Sequence, residues 1–95
     1  MGTAMLFVDD VFKEVETTSL DNGQLVIDGE PVGAFITTYQ SIGGPKAKLM
    51  AWVEEDGFCY YDNFNTWYAS KDADAAWQEA LMWAQAEELP AIRGI

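Results

Sequence analysis

Histidine is absent from this 95-residue chain, cysteine occurs once, and lysine and arginine together number only five. Each scarcity excludes a kind of chemistry. Without histidine the chain lacks the usual general base, the commonest metal ligand and every His-based nucleophile triad. The lone Cys59 admits no intrachain disulfide and fits a reducing cytosol. It lies in Phe58-Cys59-Tyr60-Tyr61 with no basic neighbour in sequence to hold a thiolate, so it is expected to be a buried structural thiol. Direct nucleic-acid binding is disfavoured, because duplex affinity rests on cations that neutralise phosphates. No run approaches the ~20 apolar residues of a membrane span. The start, Met1 to Asp10, has neither the basic opening nor the long apolar stretch of a signal peptide.

What remains is acid and hydrophobe. Sixteen carboxylates give a formal net charge of -11, while 49% of residues are apolar and 14% aromatic. A disordered acidic tail would lack that apolar content. Four Trp, five Phe and four Tyr can bury roughly 150–250 Å² each and sustain a core without staples. No repeat, low-complexity tract or linker divides the sequence, so residues 1–95 are expected to form one domain.

The clearest predicted element is a helix over about Lys71–Glu88, with Ser70 as candidate N-cap and Asp72 and Asp74 at its positive end. Ala73, Ala76, Trp77, Ala80, Leu81 and Ala84 recur at helical spacing as one apolar stripe. Trp83 falls at its edge and Met82 nearly opposite. Pro90 stops the helix. Glu87 and Glu88 oppose the helix dipole by about 0.3–1 kcal/mol each, which propensity does not explain.

Upstream the pattern is a meander. Gln24–Asp28 reads as a strand and Asp28-Gly29-Glu30-Pro31 as its turn. Val32–Tyr39 is a second strand, and Ile42-Gly43-Gly44-Pro45 the most loop-like segment. Lys48–Val53 and Phe58–Tyr61 flank the Asp56-Gly57 hairpin signal. Residues 4–18 fit either a helical face (Val8, Val11, Phe12, Val15) or a strand; the Thr17-Thr18 pair and the turn-like Leu20–Gly23 favour a strand paired with 24–28. The predicted fold class is α+β: an antiparallel sheet of about four to five strands with one C-terminal helix across a face.

Candidate chemistry is sparse. Glu54-Glu55-Asp56 and Glu87-Glu88 supply adjacent acids, but adjacency is not a cleft, and a small hydrolase or metal-dependent enzyme is the weakest reading. Neither an EF-hand loop nor a P-loop is present. No catalytic residue, metal or cofactor is expected. Two readings of the acids remain. They keep an aromatic-rich protein soluble, or they stand where a basic partner expects phosphates. On a strand, residues i and i+2 share a face about 6.6–6.8 Å apart, which would align Glu14 with Glu16 and Glu54 with Asp56. Asp9-Asp10 and Asp28/Glu30 add further clusters. Carboxylates pair with arginine in the bidentate geometry that phosphates use. Tyr61, Asp62 and Trp67 belong to an aromatic run, Tyr60 to Tyr68, that either packs internally or serves as a contact patch. The predicted partner-binding set is therefore Asp9, Asp10, Glu14, Glu16, Asp28, Glu30, Glu54, Glu55, Asp56, Tyr61, Asp62 and Trp67.

In its small size, net charge, lack of histidine and sheet-plus-helix pattern the chain resembles phage-encoded inhibitors of bacterial defence, notably anti-CRISPR and anti-restriction proteins that act as DNA mimics. The residues that carry the resemblance are Asp9-Asp10, Glu14/Glu16, Glu54-Glu55-Asp56, Asp72/Asp74 and Glu87-Glu88. It implies a non-enzymatic inhibitor in the bacterial host cytoplasm, blocking the basic nucleic-acid-binding surface of a defence complex. The alternative is a structural or adaptor module that binds proteins, or a second copy of itself as a homodimer, through the aromatic patch.

Overall fold

A computed structural model describes residues 2–69 and 71–95. Strands β1 (Gly2–Val8) and β2 (Val11–Ser19) pair antiparallel, from Gly2 opposite Thr17 to Val8 opposite Val11. The connecting Asp9-Asp10 turn has both φ angles positive, 53° and 64°, the geometry whose twist matches that of the flanking strands. The turn splits the apparent helical face of residues 4–18. Phe7 and Phe12 then meet across the hairpin, ring centroids 4.8 Å apart.

β2 pairs with β3 (Leu25–Ile27), the partner expected from sequence, and β3 with β4 (Glu30–Pro31) through the Asp28-Gly29 turn. β5 (Ala34–Ser41), β6 (Gly44–Glu55) and β7 (Phe58–Tyr68) form the long meander. Helix α1 (Ala73–Glu87) and β8 (Ala91–Ile92) complete the chain. The sheet order is β4-β3-β2-β1-β8-β5-β6-β7.

Among the described residues the sheet thus has eight strands, where four to five were expected. The difference lies in pieces too short for periodicity to reveal. β8 is two residues long, yet Ala91 is opposite Met5 on one side, antiparallel, and Ile36 on the other, parallel. It stitches two meanders into one mixed sheet. The loop expected at Ile42–Pro45 is also shorter, because β6 already begins at Gly44.

Helix α1 covers one face. Its N-cap is Asp72, whose carboxylate accepts the Ala75 N–H at 2.8 Å; the expected cap, Ser70, lies outside the described residues. Ala76, Ala80 and Ala84 are fully buried, and Ala80 and Ala84 share a core with Ile36, Ala47 and Ala91. Methyl-sized side chains let the helix lie close to the sheet, and Met5, Leu49, Trp77 and Leu81 fill the margins. The helix ends with Glu88 in the left-handed conformation (φ 57°) and the Leu89 N–H bonded to the Ala84 carbonyl at 3.0 Å. This is a Schellman-type stop that returns Leu89 to the core.

The opposite face holds a second core of Ala4, Ile27, Val32 and Phe35, flanked by Leu6, Val15 and Met50. No helix covers it. The sheet instead curls until its β3 end meets β7, and Tyr61 makes the closure. Its hydroxyl donates to the Val32 carbonyl (2.7 Å) and accepts the Leu25 N–H (2.9 Å). Its ring packs edge-on against Phe35 and Trp52 at 4.9 and 4.8 Å. A bulge in β7 assists the curl: Leu49 is opposite Asn65 but Met50 is opposite Asn63, leaving Phe64 as the extra, outward residue.

Candidate partner-binding surface

Strand direction sorts the charges. β1, β3 and β6 run the same way through the sheet, and each ends in an acidic turn. These turns are Asp9-Asp10, Asp28-Gly29 leading to Glu30, and Glu54-Glu55-Asp56. α1 runs from the end of β7 to the start of β8, which delivers Glu87 and Glu88 to that same end. The result is an acidic rim.

Among the described residues, five that are not glycine have positive φ: Asp9, Asp10, Asp28, Asp56 and Glu88. All five are acidic and all lie on the rim. Glycine, or asparagine, is the least strained choice for this conformation. Asp is a common substitute in tight turns, but Asp10 at a second turn position and Glu88 at a helix stop follow no such preference. Glu88 also adds charge where the helix dipole opposes it. The backbone at the rim accepts strain and retains charge.

The cations gather elsewhere. Lys46 and Lys48 lie at the start of β6, Lys71 precedes α1 and Arg93 follows β8, all toward the opposite end; only Lys13, in β2, lies toward the rim. Lys46 stands over the Tyr68 ring, Lys48 over Tyr39, and Arg93 over Trp77. Arg93 also pairs with Asp74, the one salt bridge among the described residues. The rim carboxylates therefore have no ionic partner within the described chain. They are spread along the rim rather than converged: no three His, Cys, Asp or Glu among the described residues form a metal-binding group. Tyr60 sits in their field. Partial desolvation, then the neighbouring Glu55 and Asp62 carboxylates, hold its phenol above the ordinary value.

The structure brings Asp9, Asp10, Asp28, Glu30, Glu54, Glu55 and Asp56 to one end and leaves them exposed. The expected alignment of Glu54 with Asp56 on a strand face fails, because β6 stops at Glu55 and Asp56 is in the turn. Glu14 and Glu16 are exposed on one face of β2, away from the turns. Asp62 and Trp67 are exposed on β7, whereas the Tyr61 hydroxyl is engaged within the chain. Cys59 is exposed, not buried as expected. It sits one residue into β7, an edge strand on which every residue but Tyr61 is exposed.

Sequence reasoning counted Glu87 and Glu88 in the surface resemblance but left them out of the partner-binding set; the signal was their conflict with the helix dipole. It also missed a cleft between β7 and α1, lined by Trp67, Glu79, Met82, Trp83 and Ala86. The Glu79, Met82, Trp83, Ala86 spacing marks a second helix flank beside the alanine stripe, and Trp67 closes it from the sheet. No helix among the described residues is long and apolar enough to cross a membrane. In comparisons with known proteins, the chain matches no family model, no curated protein and no solved structure.

Proposed function

We propose that the chain is a non-enzymatic inhibitor that docks its acidic rim on a basic nucleic-acid-binding surface of a bacterial defence complex, in the manner of a DNA mimic. One observation carries the reading. Among the described residues, every non-glycine residue in the left-handed conformation is a carboxylate, and all of them lie at one end of the sheet. Solubility alone needs net charge, not charge gathered on one rim. A rigid anionic edge offers a partner's Arg and Lys fixed counter-charges and speeds encounter at low salt. The defence-complex target comes from the resemblance in surface style described above.

A second reading is favoured by β7. It is the last strand of the sheet, eleven residues long, and exposes Phe58, Tyr60, Phe64, Trp67 and Tyr68. Open, apolar edges invite pairing with another chain. An adaptor or self-associating module would use that edge.

Capture from bacterial lysate with low- and high-salt washes separates the two. The inhibitor reading expects a nucleic-acid-binding complex that is released by salt and displaced by duplex DNA. A salt-resistant partner without nucleic-acid function, or concentration-dependent mass in light scattering, supports the edge-strand reading instead.

A further inference from the structure

The cleft between α1 and β7 has the features of a site for a planar cation. Trp67 and Trp83 pack as a tilted pair, ring centroids 6.2 Å apart and planes inclined at 45°. Met82 and Ala86 continue the wall, and the open cleft has a volume of about 390 Å³. Glu79 belongs to the same lining, one helical turn before Trp83. Its Oε2 is shielded from solvent and meets no hydrogen-bond donor among the described residues.

Two demands converge. A shielded carboxylate oxygen calls for an N–H donor. Indole faces attract a cation through the ring quadrupole. A guanidinium satisfies both, since it stacks flat on an indole while its fork donates N–H groups to a carboxylate. A quaternary ammonium satisfies the rings but not the oxygen. The chain's own Arg93 does not line this cleft; it is held by Asp74 and Trp77.

We infer that this cleft receives an arginine side chain of the partner protein. The inference rests on the basic-partner reading and gives it an anchor: the rim steers, and the cleft holds one arginine by stacking and charge-assisted hydrogen bonding. A side chain fits better than free arginine. Glu79 is the only charged residue in the lining among the described residues, so none of them pairs with a free α-carboxylate, and the surrounding charge of -11 repels it. The exposed Trp67 and Met82 form an open mouth on the free edge of the sheet, where a second chain can approach.

The test is a titration of isotope-labelled protein, read at the indole N–H resonances of Trp67 and Trp83, which single Trp→Phe variants assign. The probe is the capped tripeptide acetyl-Gly-Arg-Gly-amide. Expected are saturable shifts at both indoles, with affinity about tenfold or more above that of the citrulline peptide, which keeps the shape but loses the charge. The trimethyllysine peptide and free arginine should bind more weakly than the arginine peptide. Glu79→Gln should erase the preference for arginine over citrulline while the indole resonances stay dispersed as in the wild type. Absence of saturable shifts, or equal binding of citrulline or trimethyllysine, overturns the site. Free arginine binding as tightly as the peptide overturns its assignment to a partner side chain. The comparison of peptides needs no variant, so a folding defect in Glu79→Gln leaves it decisive. It also needs no target: a negative titration leaves the rim reading standing, and a failed lysate capture leaves a positive titration intact.

Discussion

The two ends of the sheet treat charge in opposite ways. At the end away from the rim, Lys46, Lys48 and Arg93 each rest on an aromatic ring of the chain, and Arg93 is also paired with Asp74. At the other end, carboxylates occupy left-handed turn positions and have no ionic partner among the described residues. Cations here contribute to internal packing; the rim anions are held outward. Net charge alone conceals that division, because one value of -11 describes both ends.

The most forceful way to break the comparison is to move the loss of charge. Replacing Asp9, Asp10, Asp28 and Asp56 by Asn removes four charges and takes the formal value from -11 to -7 (-11 + 4), while Asn suits their backbone at least as well. Changing Glu14 and Glu16 to Gln and Asp21 and Asp62 to Asn removes the same four charges elsewhere. For the captured partner, the rim variant should lose about 100-fold in affinity at low salt, on the order of 0.2–1 kcal/mol per exposed charge. The second set should lose far less. Equal losses, measured by titration calorimetry at two salt concentrations, would mean that only total charge matters.

A smaller effect sharpens the contrast between surface and core. Tyr61→Phe leaves the Val32 carbonyl and Leu25 N–H without their partner and should lower stability by about 1–3 kcal/mol, seen as an earlier urea midpoint. Partner affinity should not change. The same residue sets a pH dependence. Burial, partly offset by the Leu25 N–H, holds the folded Tyr61 phenol above its ordinary value. The unfolded chain therefore loses this proton first as pH rises. The associated stability is complete below about pH 10 and is lost as pH climbs through the folded value. Tyr61→Phe should flatten that alkaline decline in denaturation curves recorded across the range; an unchanged slope would exclude Tyr61 as its source.

Smaller again is Glu88→Gly. Relief of left-handed strain and of the dipole conflict should raise stability by about 1 kcal/mol, with some loss of partner binding. A thermal midpoint that fails to rise would show that Glu88 is not strained. At the cation end, Arg93→Gln removes an exposed ion pair and should change stability by no more than about 1 kcal/mol. Partner affinity should be unaffected, which the same calorimetry checks.

Legibility followed range. The Asp56-Gly57 hairpin, the α1 stripe of Ala76, Ala80 and Ala84, and the pairing of β2 with β3 were readable because a few neighbouring residues encode each one. The pairing of Trp67 with Trp83 was not, since it depends on where α1 crosses the sheet. The aromatic run also resisted reading. Alternation along β7 cannot show that Tyr61 closes the far-side core while Phe58 and Phe64 face solvent.

By itself the sequence determined a strongly anionic, histidine-free chain with an alanine-faced C-terminal helix and acidic residues in its turns, because composition, helical periodicity and turn chemistry are local properties. Tertiary structure alone decided that those turns share one end. That depends on strand directions fixed by β8, whose Ala91 bridges Met5 and Ile36. It also decided that the sheet curls shut on Tyr61. Contacts between residues so far apart in sequence are selected by the burial of both faces at once, and no local window contains that information.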